Sequence, residues 1–309
     1  RLDGINKSPK LRRLFLDGNR VSDLEPLAGL AGLKILVLGD NHASDLAPLA
    51  KLTGLERLEL QHNRVADLKP LKGLTNLVHL RLDGNQLTNV VGLAGLPKLE
   101  LISLNHNCIT NLTPMGSLPG LKKIYLDDNC ITNLKPLASL KVKRARVNPA
   151  VFGFSNTRGV RELWLRKNKI TDLEPLAGFT RLQWLALAHN RVNDIHHLAR
   201  LENLTGLDLQ GNQIHSLEGL GEKPRLTTLH WGDNNASNLA KLAGYSALRQ
   251  LHLQGNHFSN LAPLGFLEKL ETLNLDRNQV TNLAPLKNLT ELRSLSLRGN
   301  QVTDLSPLV

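Results

Sequence analysis

A single phrase of twenty-two residues, L-x-x-L-x-L-x-x-N-x-(V/I)-(T/S)-(D/N)-L-x-P-L-x-x-L-x-x, recurs along nearly the whole chain. Its asparagine stands at Asn19, Asn41, Asn63, Asn85, Asn107 and Asn129, then at Asn168, Asn190, Asn212, Asn234, Asn256, Asn278 and Asn300, which makes thirteen full copies after a partial one at the N-terminal end. A unit this short cannot cover its own leucines and has to lean on the units before and after it. The 309 residues are therefore expected to form one solenoid, since a stack of this kind is exempt from the size at which compact cores stop growing.

Within a copy, Leu14-Phe15-Leu16 alternates with period two, which calls for a very short strand with Leu14 and Leu16 facing inward. Equivalent strands must pair in parallel. The rest of the copy, as in Ile170-Thr171-Asp172-Leu173-Glu174-Pro175-Leu176, returns the chain, and its proline fixes φ and removes a donor, favouring a turn or 3₁₀ segment over a long helix. The expected fold is an α/β-type repeat solenoid: a curved, right-handed superhelix with a parallel sheet on its concave side and short 3₁₀ or turn segments on its convex side. A carboxamide both donates and accepts, so the asparagine column reads as a structural ladder. The Asp/Asn column at 23, 45, 67, 89, 111, 133, 172 and 194 stands where a polar side chain closes the next turn.

The period, the N-x-I-T-D-L-x-P-L-x-x-L phrase and the lack of a long convex helix resemble the SDS22-like class of leucine-rich repeats, above all the version found in bacterial internalins. The phrase is best kept from Asn63 to Leu74, from Asn168 to Phe179 and from Asn278 to Leu289. The resemblance implies a leucine-rich-repeat solenoid that binds proteins through the side chains lining its inner face. Proteins of this kind typically carry a helical N-terminal cap and often an immunoglobulin-like module, neither of which is visible. The sequence begins and stops in mid-repeat, so terminal caps or further domains are expected outside it.

The pattern breaks once. Asn129 and Asn168 lie 39 residues apart, and the tract 138–159 threads either as an irregular, degenerate repeat with Asn148 on the ladder or as a junction between two solenoid blocks. Lys141, Lys143, Arg144 and Arg146 make a basic cluster there, read as a solvated loop or as a site for an acidic partner. A lesser irregularity puts Lys223 and Tyr245 in the final leucine slot, Lys241 in the proline slot and Trp231 in a core-strand position, where it should be buried.

Recognition has to come from the residues between the strand leucines. One outward column reads Phe15, Val37, Glu59, Arg81, Ser103, Tyr125, Trp164, Ala186, Asp208, His230, His252, Asn274 and Ser296, and is expected to be free of packing. Two residues earlier come Arg13, Ile35, Arg57, His79, Leu101, Lys123, Glu162, Trp184, Gly206, Thr228, Gln250, Thr272 and Ser294. Tyr125, Trp164 and Trp184, with Arg81, Leu101 and Lys123 near them, are the favoured binding centre, because large aromatic and basic side chains dominate interface hot spots. Phe15, Ile35 and Val37 form a weaker patch. His230 and His252 occupy equivalent positions of adjacent strands; two histidines without a third ligand read as polar surface rather than a zinc site.

Other chemistry is not written in the chain. No phosphate loop, metalloprotease helix or nucleophile elbow occurs, so no catalytic residue, metal or cofactor is expected. No stretch is long and apolar enough for a membrane helix. Cys108 and Cys130 take the same place in consecutive copies and are compatible with free thiols, a bridge or a metal pair. Lys and Arg number 38 against 27 acidic residues, a formal charge of +11, which favours a protein partner with an acidic surface and speeds its encounter. Nucleic acid or an anionic glycan is a lesser alternative, because the positive charges are scattered rather than drawn into a stripe. The leading expectation is a non-catalytic protein-binding module, on a bacterial surface if the internalin resemblance extends to setting; the alternative is an intracellular scaffold or regulatory subunit of SDS22-like type.

Overall fold

A computed structural model describes residues 2, 4, 5, 8–140 and 159–308. The chain divides into two compact units, Arg1–Leu163 and Trp164–Val309. In the first, the strands β1 (Arg13–Phe15), β2 (Ile35–Val37), β3 (Arg57–Glu59), β4 (His79–Arg81), β5 (Leu101–Ser103) and β6 (Lys123–Tyr125) pair in parallel in chain order. The second holds β8 (Trp184–Ala186), β9 (Gly206–Asp208), β10 (Thr228–His230), β11 (Gln250–His252), β12 (Thr272–Asn274) and β13 (Ser294–Ser296), paired in the same way. Strand β7 (Glu162–Trp164) lies on the division. In every pair the register offset is one repeat, so equivalent residues stand side by side, as in Leu58 beside Leu80 or Leu251 beside Leu273.

Each strand is only three residues long because the core needs no more: one buried leucine in the strand, such as Leu58, Leu80 or Leu229, and another just after it, such as Leu60, Leu82 or Leu275. Leu14 and Leu16, which have a neighbouring repeat on one side only among the described strands, are half-buried. After each strand the chain turns through a left-handed residue that always immediately precedes the ladder asparagine. Gly18, Asp40, His62, Gly84, His106, Asp128, Lys167, His189, Gly211, Asp233, Gly255, Arg277 and Gly299 all have φ between 51° and 68°. Glycine reaches that region freely, and aspartate and histidine reach it more readily than most residues. The Gly-Asn pairs and the histidines at 62, 106 and 189 thus share one backbone task.

The asparagine that follows fastens two repeats together. Asn63 donates from Nδ2 to the carbonyls of Leu38 (2.8 Å) and Leu60 (3.1 Å), while its Oδ1 accepts the Ala43 N–H (2.8 Å). The same set recurs at Asn107, Asn190, Asn212 and Asn278. On the opposite side of each repeat, a 3₁₀ turn such as Glu25–Leu27 or Glu174–Leu176 opens with its proline in the first turn, and the preceding acidic or amide side chain accepts the first N–H: Asp23 from Glu25 (2.9 Å), Asp172 from Glu174 (2.8 Å). No α-helix occurs among the described residues.

The irregular turn Glu218–Leu220 has a particular solution. In its neighbours a backbone N–H three residues on bonds the turn's last carbonyl, as Leu201 does to Leu198 (3.0 Å). Here Gly221 at φ +72° diverts the chain, and the Lys223 ammonium reaches back to the carbonyls of Leu220 (2.5 Å), Ala199 (3.0 Å) and Glu222 (3.0 Å). Lys223 is fully buried, as are Trp231 and Tyr245, and the Tyr245 hydroxyl bonds the Gly221 carbonyl (3.0 Å). The Trp231 indole donates to Ile214 O (3.1 Å), in keeping with its expected packing role.

Two outcomes are expected. Asn63→Ala strands at least three buried backbone groups and should cost about 3 kcal/mol in urea unfolding, whereas Asn19→Ala, whose side chain bonds only its own repeat, should cost about 1 kcal/mol or less. Burial holds the Lys223 amine at about 8, below its ordinary 10.5, against the pull of Glu202 and Glu222. The unfolded chain therefore binds that proton more tightly than the folded one, so raising pH from about 8 towards 10 should stabilise the fold. Unfolding midpoints measured across that interval should rise in the wild type, and the rise should be absent from Lys223→Met.

Candidate functional site

The strand faces carry the side chains that are not committed to the leucine core, but they are less open than the alternation alone implies. In the first unit Val37, Glu59 and Ser103 are buried at 6–7% exposure. The expectation of a column free of packing is corrected here. Parallel neighbours stand about 4.8 Å apart, so long side chains fold over short ones. Arg57 lies along its own strand with Nε 2.7 Å from Glu59, and Ser103 Oγ donates to Asp83 (2.5 Å).

At the end of that face Lys123 and Tyr125 converge on one carboxylate. Lys123 Nζ is 2.7 Å from Glu162, and the Tyr125 hydroxyl donates to the other oxygen at 2.8 Å. The Tyr125 phenol is pushed up to about 12, by burial first and by Glu162 next, with Arg81 opposing. Of the Arg and Lys side chains on this face, Arg57 and Lys123 are thus already ion-paired, while Arg13 and Arg81 stay exposed. Leu101 is half-buried beside Lys123, its register partner. Phe15 is exposed, whereas its patch companion Val37 is not.

The face of the second unit is organised differently. Trp164 and Trp184 stack with ring centroids 5.7 Å apart and planes 20° from parallel. Trp184 lies over Gly206, where a Cβ would come within 2.0 Å of its ring; glycine leaves the shelf on which the indole rests. Its Nε1 is shielded and bonds no acceptor among the described residues. The Arg166 guanidinium sits 4.6 Å from the Trp164 ring centroid, and its Nε is 2.9 Å from Asp208 Oδ2. That carboxylate is 5% exposed. His230 follows in the same column, with Nδ1 3.9 Å from Asp208 Oδ1, and its ring lies 4.5 Å from that of His252. Both imidazoles are held below their ordinary value: His230 by burial, then by His252 and Arg166 against Asp208; His252 by burial against Asp208.

Sequence reasoning picked out Trp164, Trp184, His230 and His252 but not Arg166, Gly206, Asp208 or Glu162 as their supports. A signal existed for Gly206, a lone glycine in a column of larger side chains directly after Trp184. The Arg166–Asp208 pair had none, since its members are two repeats apart. Cys108 is exposed, Cys130 partly so, and both are free thiols. Lys141, Lys143, Arg144, Arg146 and the degenerate repeat around Asn148 lie outside the described residues. Among the described residues no three or more His, Cys, Asp or Glu side chains gather as a metal-holding group, and no helix is long and apolar enough to cross a membrane.

A family model for leucine rich repeats in two copies matches residues 9–51, 53–95, 97–139, 246–288 and 268–309, and a second leucine rich repeat model matches 158–214. These take in more than half of the chain, and the chain belongs to the leucine-rich repeat family. Its repeats are of the internalin type. Among solved structures it is similar to an internalin, InlF, from Listeria monocytogenes, at 26% identity and a TM-score of 0.89, covering 98% of this chain and 86% of that one. The functional domain of InlJ from the same organism, described as including a cysteine ladder, matches at 22% identity and a TM-score of 0.78 over 98% of this chain and 61% of that one. A plant peptide hormone receptor, RGFR1, solved in complex with RGF2, matches at 20% identity and a TM-score of 0.74; the chain spans 49% of it, and the likeness is one of fold. No curated protein matches the sequence.

The tryptophan stack depends on the absent Cβ at 206. Gly206→Val should displace Trp184, removing the exciton couplet expected of two stacked indoles in far-ultraviolet circular dichroism and costing about 1 kcal/mol of stability.

Proposed function

We propose that the chain is a non-catalytic protein-binding module that holds one folded partner against its strand face, with Trp164 and Trp184 at the centre of the contact in the second unit. The observation that carries this reading is the indole stack itself. Two large rings are fixed in place before any partner arrives, by Gly206 beneath one and Arg166 across the other, so little conformational entropy remains to be lost on binding. The ladder supports the reading in a second way, because it secures the backbone and leaves the outward side chains free to vary.

The internalin-type repeats favour a bacterial surface as the setting, with a protein of another cell as the partner. The formal charge of +11 and the exposed Arg13 and Arg81 favour an acidic surface on that partner. The full chain, immobilised and exposed to a detergent extract of epithelial membrane proteins, should retain a specific protein. Trp184→Ala and Trp164→Ala should each weaken that capture by about thirtyfold, equivalent to about 2 kcal/mol at a hot spot. Glu174→Ala, on the 3₁₀ side of the same unit, should leave it unchanged. Undiminished capture by both tryptophan variants would refute the strand-face reading.

A further inference from the structure

The histidine pair beyond the tryptophan stack has a geometry that a polar surface does not require. His230 and His252 are register partners on β10 and β11, so their Cα atoms are side by side and their side chains leave the sheet on the same face. Their rings are inclined at 38° with centroids 4.5 Å apart. Two imidazoles bound to one tetrahedral zinc, with Zn–N bonds of about 2.0 Å, place their ring centroids roughly 5 Å apart. Small rotations of the two rings cover the difference. Neither ring has a hydrogen bond among the described residues; the Asp208 carboxylate, 3.9 Å from His230 Nδ1, is beyond bonding distance.

That carboxylate lies on the Nδ1 side of His230, where a small approach of the ring would bring it into hydrogen-bond range. A carboxylate that accepts a hydrogen bond from one ring N–H fixes the tautomer and leaves the other nitrogen's lone pair for a metal. Asp208 faces Nδ1 of His230, so Nε2 is the nitrogen left over. Asp208 is in turn held by Arg166, which keeps the carboxylate from swinging away. The charges near the pair are the Asp208 carboxylate and the Arg166 guanidinium, whose opposite signs leave a cation site that is not strongly repulsive.

We propose that His230 and His252 form a two-imidazole clamp for a divalent transition metal of the zinc class, with Asp208 orienting His230. Nitrogen ligands select zinc, nickel or copper over magnesium or calcium, which require oxygen. The chain contributes two ligands, and the remaining positions are open to water or to a side chain of a bound protein. The other close histidine pair, His196 and His197, is a poorer site, because its ring centroids are only 3.7 Å apart, further below the spacing of two imidazoles on one zinc, and His196 is well exposed. The inference stands independently of the protein-binding reading, since the clamp is complete within one unit of the chain.

Zinc chloride titrated calorimetrically into the full chain at neutral pH, in a buffer that does not chelate, should show one site in the micromolar range, and magnesium chloride none. His230→Gln and His252→Gln should each weaken zinc binding by more than about tenfold, Asp208→Asn by about tenfold, and His196→Gln not at all. A readout free of substitutions is acylation of histidines by diethyl pyrocarbonate followed by mass spectrometry: zinc should protect His230 and His252. Absence of zinc binding, binding undiminished in either glutamine variant, or protection confined to other histidines would overturn the proposal.

Discussion

Each described repeat after the first meets the same problem, a tight turn inside a stack where water cannot reach the backbone, and meets it with one carboxamide. The asparagine closes its own turn with one half of the amide and receives an N–H from the preceding repeat with the other. The leucine core can only be packed if this turn is repeated without drift, since a shift of one residue would turn each strand's leucines outward. The amide ladder therefore sets the register to which the hydrophobic contacts conform. The left-handed residue just before each asparagine belongs to the same device, because it swings the carboxamide back towards the carbonyls it must serve.

With the backbone secured in this way, the strand face becomes a surface whose chemistry is decoupled from folding, but only in part. Equivalent residues stand so close that each one's environment is set by its neighbours in the adjacent repeats. Ser103 bonds Asp83 of the preceding repeat, Trp184 rests on the space left by Gly206, and Asp208 is enclosed by Arg166 and His230. The face is thus read more usefully as short rows across the strands than as residues along them. In the second unit the row from the indoles through the guanidinium and carboxylate to the imidazoles is one connected arrangement.

What was legible in the sequence follows from that distinction. Leucines, asparagines, turn prolines and the Asp/Asn caps repeat at a fixed interval, so each reports its own role many times over, the prolines in nine of the thirteen copies. Trp231 was legible as a core residue because it stood in a leucine's slot. Arg166 meeting Asp208, or Lys123 and Tyr125 sharing Glu162, could not be read off, because each contact occurs once and joins residues far apart in the chain. The burial of Val37, Glu59 and Ser103 was missed for the same reason: alternation tells which way a side chain points, not what leans over it. The histidines at 62, 106 and 189 share a backbone requirement, shown by their φ angles, that glycine and aspartate meet equally well.

Lys223 shows how such an array tolerates error. Where the main chain has departed from its usual path at Gly221, an amine at the end of a flexible stem supplies the bond that the peptide N–H no longer makes, and it does so from inside the core. The defect is thereby tied to the coils on either side, through the Ala199 carbonyl and the Tyr245 hydroxyl, and the strands of those coils stay paired in register. Repeat arrays lengthen and shorten by copying whole units, and each copy accumulates substitutions separately. A lysine acting as a splint suggests that a damaged copy need not be discarded; it can be mended locally and remain as a distinctive segment in an otherwise uniform chain.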